Sequence, residues 1–548
     1  MIFPALFTTG ISAAAFWLLT PYFVVVNSVP WREPISWDEL IRVAAVAQVT
    51  RIEADPSLIV PVIQAYAGQD PGSWREMGKG HAPRVLLAKL FAGRDIDAVN
   101  QYLRELRPWS EPGSDWELNR GDYDFTEVVL TQILYFFGEK PDRLYPDTLN
   151  HLLHELLLEE GGQPNPKVPQ TLGLVFDTEN HLLMRESSRY LKNQWLQKHG
   201  NTRKRYDNSR NGLQDWLTGR LNHIRMYGFH EFNSVPYERY ALAPLLNLEA
   251  FAEPPEVASL ARVILDDKAW RYALGSLEFR QCVPFCRQPR RADKTELTLN
   301  PMNSIAKAWV LDPEEAFRQS DGGFDALLMP YRPPLQTVEW MKAKPHEYFV
   351  QIGHGEYGSP EIFSGGPGYV LSAGGACPCW ESQVVPRPTT LLIEDGAQDI
   401  KECFHVPGAG HWTAWNNTGV YRHFACGNMA VQVPDAYRPV AEASGWRIFL
   451  PGHPEGLLIA VYNAEGLGLM ALFPTTEVAP ETLLQRILEM NPDAAVLAKT
   501  FHCPMDGELT YDPNAPYGTW IMESANGHSL DRAYGQWRRG RPELSIAQ

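Results

Sequence analysis

The chain of 548 residues carries a formal net charge of −16, with 44% hydrophobic and 21% charged residues. This composition is that of a globular protein, and the length indicates two domains because single cores stop growing near ~250–300 residues. The acidic charge argues against nucleic-acid binding, which depends on Lys and Arg patches that neutralise phosphates.

The first segment of the chain is long and apolar. No charged residue occurs from Ile2 to Val26, a length that can span a bilayer. Two interpretations stay open: an export signal or membrane anchor within residues 1–30, or an apolar first helix that packs in the core. Pro4 and Pro21 would kink or shorten a helix here. We expect the first interpretation, and therefore an extracytoplasmic protein, periplasmic or secreted.

The next part of the chain has a helical pattern. From Trp37 to about Ser276, apolar residues recur at intervals of three and four, which is the spacing of one helix face. Sequential helices joined by short loops pack as antiparallel hairpins, so we predict a helical domain over residues 31–300. The predicted helices lie in DELIRVAAVAQVTRI, APRVLLAKLFAGRDIDAVNQYLREL, FTEVVLTQILYFFG, DTLNHLLHELLLEE, LQDWLTGRLNHIRMYG and PEVASLARVILDDKAWRYAL.

After the segment NPMNSIAKAWVLDP the pattern changes to short runs of β-branched and aromatic residues, bounded by Gly, Pro and Asn. This pattern is typical of an antiparallel β-sandwich. We expect the boundary between residues 290 and 335, and we assign residues 301–548 to the sandwich domain. One helix, PETLLQRILEMN, is predicted near residues 480–491. The predicted strands lie in EYFVQIG, GYVLSAGG, TTLLIE, MAVQVP, WRIFLP, GLLIAVYN and LGLMALFP.

A first candidate site lies in FDTENHLLMRESSRYL, where Asn180 and His181 occupy the first turn of a predicted helix. Backbone N–H groups at a helix N-terminus stabilise an anion there. The same field lowers the pKa of a histidine, so His181 is predicted to be a neutral base. With Arg185 one turn on, this turn offers an amide, a base and a cation to one anionic ligand. Alternatively, Asn180 caps the helix and His181 is a packed ring.

A second candidate site lies in RMYGFHEFNSVPYERY, which Gly228 and Pro236 place in a loop between helices. Loops carried by a rigid scaffold frequently hold functional residues. The alternative is a loop whose polar groups bond only to its own backbone. The candidate ligand-binding side chains of this segment are Arg225, His230, Glu231, Asn233, Tyr237 and Tyr240.

The cysteines give little sign of a metal site. There are seven, so at least one thiol stays free if the others pair. A structural zinc site from Cys377, Cys379, Cys403 and His405 is one alternative, but these spacings match no zinc-ribbon pattern. We expect no cofactor and no catalytic metal.

Asn, His, Tyr and Arg without a metal or a nucleophile suit the β-elimination of a uronic-acid polymer. The C5 proton becomes removable when amide or guanidinium donors neutralise the neighbouring carboxylate. A base, His or Tyr, then takes that proton, and an acid, often Tyr, protonates the leaving O4. The two candidate segments contain residues for all three roles.

Four segments of this chain resemble the chondroitin AC/alginate lyase-like superfamily. They are TENHLLMRESSRYL, YGFHEFNSVPYERYALAPLLNL, PEIFSGGPGYVLSAGG and GVYRHFACGNMAVQVP. The resemblance implies an N-terminal α/α toroid of helical hairpins, a following antiparallel β-sandwich, and an anionic polysaccharide as substrate. It further implies that Asn180 neutralises the carboxylate, His181 is the base and Tyr237 is the acid or second base, with Tyr240 as its substitute.

In the same resemblance, Arg225 or Arg185 holds the substrate. The chain departs from the doubled Asn-Asn-His of the well-studied lyases because Glu179 precedes Asn180. A negative charge at this position argues against direct binding of a uronate beside it.

Two alternative functions stay open. An α/α-toroid glycoside hydrolase would use two carboxyl groups that flank the glycosidic bond. A non-catalytic glycan-binding envelope protein would keep the fold without the chemistry, since fold similarity does not carry activity with it. The carboxyl groups available to a hydrolase are Asp177, Glu179, Glu231 and Glu238.

Overall fold

The structure is a computed structural model that describes most of the chain between residues 51 and 532. The predicted N-terminal signal or anchor, residues 38–50 of the first predicted helix, Cys286, Cys377 and Cys379 lie outside the described residues. Within 51–532, the residues not described are 52, 54–55, 71–73, 109–121, 169–175, 236, 254, 286–295, 312–319, 355–359, 375–387, 408–417, 453–455, 475–477 and 517–518.

The described chain forms two compact units that alternate along the sequence. The predicted boundary at residue 301 falls at the end of a segment of the second unit, and the helices that follow belong to the first. The helical unit comprises the described residues of Met1–Met226, Pro236–Ala269 and Ser304–Leu335. The sheet unit comprises those of Tyr227–Val235, Trp270–Asn303 and Gln336–Gln548.

Helices make up most of the helical unit, and the helical pattern predicted from apolar spacing is confirmed there. A π-helical turn (Leu152–Leu156) continues α5, and a 3-10 turn (Glu238–Ala241) leads into α9. The helices that lie in it, wholly or in large part, are α1 (Pro56–Ala67), α2 (Trp74–Ala92), α3 (Ile96–Glu105), α4 (Asp124–Phe137), α5 (Pro146–His151), α6 (Glu179–Lys198), α7 (Asn208–Asn211), α8 (Leu213–Tyr227), α9 (Leu242–Phe251), α10 (Pro255–Leu274), α11 (Pro301–Trp309) and α12 (Asp321–Leu328).

Helices α4, α6 and α9 form the centre of this unit and pack against one another. Helix α6 is buried on nearly every face, including polar residues, so its polar groups need partners inside the protein. Asn247 links α9 to α4, since its Nδ2 donates to the carbonyl of Val128 and its Oδ1 accepts from Gln132. These three helices therefore hold their side chains in fixed positions.

Helix α2 is interrupted near its start by Gly78, whose backbone (φ 79°, ψ 156°) lies in a region that only glycine adopts at low cost. The helix resumes directly afterwards, and Pro83 falls in the first turns of the resumed part, where a proline is tolerated. Lys79 and His81 are thereby placed at the beginning of a helix instead of along its side.

The sheet unit contains three larger sheets and a short hairpin, and every strand pair is antiparallel. The hairpin is β1 (Ser276–Leu277) with β2 (Arg280–Gln281). The five-stranded sheet has the order β3-β4-β5-β6-β7, with β3 (Tyr348–Ile352), β4 (Glu361–Gly366), β5 (Tyr369–Gly374), β6 (Thr389–Ile393) and β7 (Phe404–Val406).

The six-stranded sheet has the order β10-β11-β12-β13-β9-β8, and the four-stranded sheet the order β14-β15-β16-β17. The first contains β8 (Thr418–Tyr421), β9 (Phe424–Gly427), β10 (Ala441–Ala443), β11 (Trp446–Phe449), β12 (Leu458–Ala464) and β13 (Leu467–Phe473). The second contains β14 (Thr500–Cys503), β15 (Gly507–Tyr511), β16 (Met522–Ala525) and β17 (His528–Ser529). Helices α13 (Leu335–Lys342), α14 (Pro480–Met490) and α15 (Ala494–Leu497) accompany them.

One hydrophobic core is shared by the three larger sheets. It includes Leu371 of the five-stranded sheet, Trp446 and Leu469 of the six-stranded sheet, and Phe501 of the four-stranded sheet. The predicted helix at 480–491 is confirmed as α14, which packs on β10 and β11. Short strands with apolar inner faces are stable only when such a common core covers them.

The predicted strand MAVQVP is wrong. This segment has one isolated bridge, between Gln432 and His405, and otherwise no strand pairing. The side chain of Asn463 binds both backbone groups of Val431, with its Oδ1 accepting from the N–H at 2.9 Å and its Nδ2 donating to the carbonyl at 3.0 Å. The Asn463 side chain thus makes the hydrogen bonds to Val431 that a neighbouring strand would otherwise make.

Candidate functional site

The helical unit contains a cavity of about 290 Å³ lined by both charged and apolar side chains. The charged residues come from the start of α2, the 3-10 turn before α9, and α12. Most of the apolar residues come from α4, α6 and α9. The residues used below are Lys79, His81, Arg84, Phe125, Val128, Met184, Arg239, Tyr240, Ala243, Asp321 and Asp325.

Arg239 and Tyr240 form one hydrogen-bonded pair at this cavity. Arg239 Nη2 donates to the Tyr240 hydroxyl at 2.7 Å, and the guanidinium lies over the same ring at 4.6 Å from its centroid. Arg239 Nε is buried without a hydrogen-bond partner, and within the described chain no carboxylate forms an ion pair with this guanidinium. A half-buried guanidinium in this state is a binding group for an anion.

The other cations of the cavity already have acidic partners. Lys79 forms an ion pair with Asp122, and Arg84 forms one with Asp325. Burial raises the pKa of the Asp325 carboxyl, although the Arg84 guanidinium acts in the opposite direction. Arg239 is therefore the cation that remains for a ligand.

His81 is held between two side chains at the same cavity. Its Nδ1 lies 2.6 Å from Asp321 Oδ1, and its Nε2 lies 2.7 Å from Gln69 Oε1. Burial alone would raise the pKa of Asp321, but His81 and Arg84 outweigh burial and hold that pKa below its usual range. Asp321 is thus an ionised group bound by its neighbours.

The two segments predicted to form a site do meet in the helical unit, through aromatic rings. Phe125 of α4 contacts the ring of Tyr240 edge-on at 4.5 Å and the ring of His181 edge-on at 5.5 Å. The ammonium of Lys79 lies 4.5 Å from the centroid of the Phe125 ring. Phe125 therefore stands between the histidine of the first segment and the tyrosine of the second.

The pKa of His181 is raised, whereas the sequence predicted that the helix terminus lowers it. Burial lowers the pKa of the ring, but Asp124, 2.6 Å from Nδ1, and Asp177 raise it to about 9. The prediction weighed only the helix terminus, whereas the decisive charge comes from a residue 57 positions away.

Asn180 lies inside the first turn of α6, as predicted, and does not line the cavity. Its side chain is buried, and its Oδ1 accepts from the Thr178 hydroxyl at 2.5 Å. Glu179, the charge that departs from the family pattern, is buried 3.5 Å from Arg220. These residues organise the helix start.

Arg185 was predicted to hold substrate, but its guanidinium is occupied by the protein. It donates to the backbone carbonyls of Lys167 at 2.9 Å and Asn165 at 2.5 Å, and it lies 3.2 Å from Asp177. The side chain is 3% exposed. Arg185 therefore binds the loop that contains Asn165 and Lys167 to α6.

The residues of the second segment divide between the two units. Tyr237 and Tyr240 lie in the helical unit with their ring centroids 6.3 Å apart, and Tyr240 alone of the two lines the cavity. Arg225 lies in the helical unit beside Asn222, 3.5 Å from its Oδ1, away from the cavity lining.

His230, Glu231 and Asn233 belong to the sheet unit. Asn233 Nδ2 donates to Glu361 Oε1 at 2.6 Å and attaches this loop to β4. Asn233 thus has a structural contact in place of the predicted contact with substrate.

The carboxyl groups considered for a hydrolase are mostly paired. Asp177 lies beside Arg185, Glu179 beside Arg220, and Glu238 is 2.6 Å from Lys268. None of these three lines the cavity, and Glu231 belongs to the sheet unit. The carboxyl groups at the cavity are those of Asp321 and Asp325.

In the described part of the chain, no group of three or more His, Cys, Asp or Glu side chains is placed to hold a metal ion. Four cysteines are described, Cys282, Cys403, Cys426 and Cys503, and all are buried free thiols. Two members of the suggested zinc site, Cys377 and Cys379, are not among the described residues. No helix in the described ranges is both long and apolar enough to cross a bilayer.

Sequence reasoning missed Arg239, Lys79, His81 and Asp321. Arg239 lies inside the second candidate segment, next to Tyr240, and its position beside a candidate acid was a usable signal. The run MGKGHAPR places Lys79 and His81 between glycines and a helix-starting proline, a second usable signal.

Comparisons with known proteins do not place this chain in a family. No protein-family model matches it, and no curated protein matches its sequence. The cavity residues are therefore the basis for a functional proposal.

Proposed function

We propose that the helical unit binds a uronate residue of an acidic glycan in its cavity and cleaves the glycan by β-elimination. The observation that carries this proposal is the pair formed by Arg239, a half-buried cation without a carboxylate partner within the described chain, and the phenol of Tyr240 at 2.7 Å. A carboxylate binder and a proton carrier are the two groups that this reaction needs side by side.

Arg239 takes the role that the sequence assigned to Asn180. A guanidinium that binds the uronate carboxylate in two places withdraws its charge, so the carbanion that forms at C5 is stabilised. Asn180 is buried outside the cavity lining, with its Oδ1 accepting from Thr178, so we propose Arg239 for this role.

Tyr240 takes the role that was assigned to Tyr237. In this role the deprotonated oxygen of Tyr240, hydrogen-bonded to Arg239 Nη2, takes the C5 proton. The C5–H bond breaks, a C4–C5 double bond forms, and the C4–O4 bond breaks. The phenol then returns the proton to the leaving O4, while Tyr237, one ring further away, is the substitute.

In this proposal His181 is a positioning residue and not the base. Its ring is held by Asp124 and touches the edge of Phe125, which in turn contacts Tyr240. His181 therefore helps to fix the ring against which Tyr240 packs.

The finer architecture and the location form part of the same proposal. The helical hairpins would be arranged as an α/α toroid and the antiparallel sheets as a β-sandwich, which is what the family resemblance implies. An anionic polysaccharide as partner and the apolar segment at residues 2–26 fit an extracytoplasmic protein.

A hydrolase is the second candidate, because Asp321 and Asp325 both line the cavity. They lie four positions apart on α12, which places them on one helix face. Asp325 is bound by Arg84 through two nitrogens, however, and Asp321 by His81. Both carboxyl groups are therefore already bound by neighbouring side chains, whereas Arg239 has no carboxylate partner within the described chain.

The test is to incubate the full chain with a panel of uronic-acid polymers and record ultraviolet absorbance and new reducing ends together. We expect at least one polymer to give the chromophore of an unsaturated uronate in step with the reducing ends. Reducing ends without the chromophore would favour the hydrolase. Binding of a polymer with neither signal would favour a non-catalytic glycan-binding protein.

A further inference from the structure

We infer that the cavity selects a sugar acid with a single negative charge, so that the substrate is an unsulfated uronate glycan and a sulfated uronate is rejected. This inference rests on the proposed function and specifies its substrate class. The charged side chains that line the cavity differ in whether they already have a partner, and that difference limits the charge of the ligand.

Arg84 and Asp325 form a pair without net charge at the cavity. Arg84 Nε donates to Asp325 Oδ1 at 3.0 Å, and its Nη2 donates to the second oxygen of the same carboxylate. This two-point contact is the strong form of an arginine–carboxylate pair. The side chains are 9% and 1% exposed, so a ligand meets the two residues together as a neutral group.

His81 and Lys79 are paired with acidic side chains as well. His81 Nδ1 lies 2.6 Å from Asp321 Oδ1. This pair has no net charge when the ring is protonated and one negative charge when the ring is neutral. Lys79 forms an ion pair with Asp122, and the two side chains are 20% and 23% exposed. Neither pair therefore adds an excess of positive charge to the cavity.

Arg239 is the remaining cation of the described lining, and a guanidinium carries one positive charge. In the proposed reaction the uronate carboxylate binds that charge. A sulfate ester on the same ring would bring a second negative charge, and an uncompensated charge is costly to remove from water. The carboxylates of Asp321 and Asp325 at the same cavity would oppose it further.

The apolar part of the lining also favours an unsulfated ring. Val128, Met184 and Ala243 form a small buried cluster, against which Phe125 and Tyr240 pack. The side chains of this cluster can contact the C–H faces of a sugar ring, but they have no hydrogen-bond donor for sulfate oxygens. Selectivity of this kind rejects the wrong ligand because its added charge stays unpaired.

The pairing of Lys79 is the one that a single substitution can change most directly. Its ammonium lies 4.5 Å from the centroid of the Phe125 ring, and that ring contacts Tyr240 edge-on at 4.5 Å. Asp122→Asn keeps the size of the partner side chain and removes its charge. The Lys79 ammonium then becomes available, beside the ring that supports the reacting tyrosine, for a second anionic group.

The experiment compares three forms of one uronate tetrasaccharide, prepared from the polymer that gives most unsaturated product. One form is unsubstituted, one is sulfated at O2 of each uronate ring, and one is acetylated at the same oxygens. The full chain is assayed for kcat/KM from ultraviolet absorbance. We expect kcat/KM to be at least about 10-fold lower for the sulfated form, and the neutral acetylated form to lie much closer to the unsubstituted one.

A variant links this selectivity to the charges of the cavity. In Asp122→Asn we expect the ratio of kcat/KM for the unsubstituted and sulfated forms to fall about 3-fold or more, as the partly exposed Lys79 becomes free. Asp147→Asn is the matched control, because Asp147 pairs with Arg104 at 2.7 Å and lies outside the cavity lining. The control should leave the ratio as it is in the parent.

If the sulfated form is cleaved as well as the unsubstituted form, this inference is overturned and the lyase proposal stays intact. Equal losses on sulfation and acetylation would also overturn it, because size and not charge would then be the cause. A ratio that is the same in Asp122→Asn as in the parent would contradict the role of paired cations. No unsaturated product from any polymer or oligosaccharide would overturn both the inference and the proposed function.

Discussion

Replacing Tyr240 by phenylalanine is expected to lower the rate of unsaturated-product formation by about 10²–10⁴-fold, the usual contribution of a positioned proton carrier. The substitution removes one hydroxyl, which accepts from Arg239 Nη2 at 2.7 Å, and keeps the ring that packs on Phe125. Stability should change by about 1 kcal/mol or less, because a single partly exposed hydrogen bond is lost. The expected loss of rate thus comes from the missing hydroxyl group and not from unfolding of the protein.

The measurement is kcat from ultraviolet absorbance, with the unfolding midpoint recorded on the same samples. Tyr145→Phe is the matched control. Like Tyr240, Tyr145 is partly exposed and its hydroxyl makes one side-chain hydrogen bond, in this case to Asp97. Unlike Tyr240, it lies outside the cavity lining. Tyr237→Phe tests the assignment made from sequence. If Tyr237→Phe abolishes turnover and Tyr240→Phe does not, the acid-base role belongs to Tyr237 and the present assignment is wrong.

Replacing Glu361 by glutamine is expected to destabilise the sheet unit by about 3–5 kcal/mol, the cost of leaving a buried charge without its partner. Glu361 is 1% exposed and binds three side chains: Arg271, His354 Nε2 at 2.5 Å and Asn233 Nδ2 at 2.6 Å. Phe232 stacks on the His354 ring at 3.6 Å, so the same network holds the 227–235 loop.

The pH dependence follows from the pKa of Glu361. Burial raises this pKa, but Arg271 and His354 outweigh burial and lower it to about 2. A depressed pKa stabilises the folded state above the unfolded value near ~4.5, and the contribution is lost as the pH falls toward 2. The unfolding free energy of the parent should therefore fall between pH 4.5 and pH 2, while that of Glu361→Gln changes less.

Denaturant unfolding at pH 7 and at pH 3 checks both statements. Glu508→Gln is the control, since this carboxylate is 49% exposed beside His502 and its removal should cost roughly 1 kcal/mol or less. If Glu361→Gln lowers the free energy of unfolding at pH 7 by less than about 1 kcal/mol, the network around Glu361 does not stabilise the sheet unit.

The helices and most strands could be predicted because their signals are local. Apolar spacing marked α4 and α10, and β-branched runs between turn residues marked β12 and β13. The failed strand MAVQVP carries the same local signal, but Asn463, more than thirty positions away, binds its backbone. The local sequence pattern of a segment contains no information about such distant partners.

The site could be predicted in part for the same reason. Density of polar residues pointed to the segment that contains Arg239 and Tyr240, yet it could not separate them from Asn233, whose partner Glu361 is 128 positions away. The pKa of His181 likewise depends on Asp124, which belongs to α4 and not to the sequence of α6. Which polar groups face a cavity and which bind the protein itself is fixed by long-range packing.

The central claim, that Arg239 binds the carboxylate of a sugar acid, is tested most directly by calorimetric titration with two matched ligands. One is a uronate oligosaccharide, and the other is the same oligosaccharide with its carboxyl groups reduced to alcohols. The account predicts that the parent protein binds the acid about 10–100-fold more tightly, and that this preference disappears in Arg239→Met. Equal affinities of the parent protein for both ligands, or a preference that survives in Arg239→Met, would contradict it.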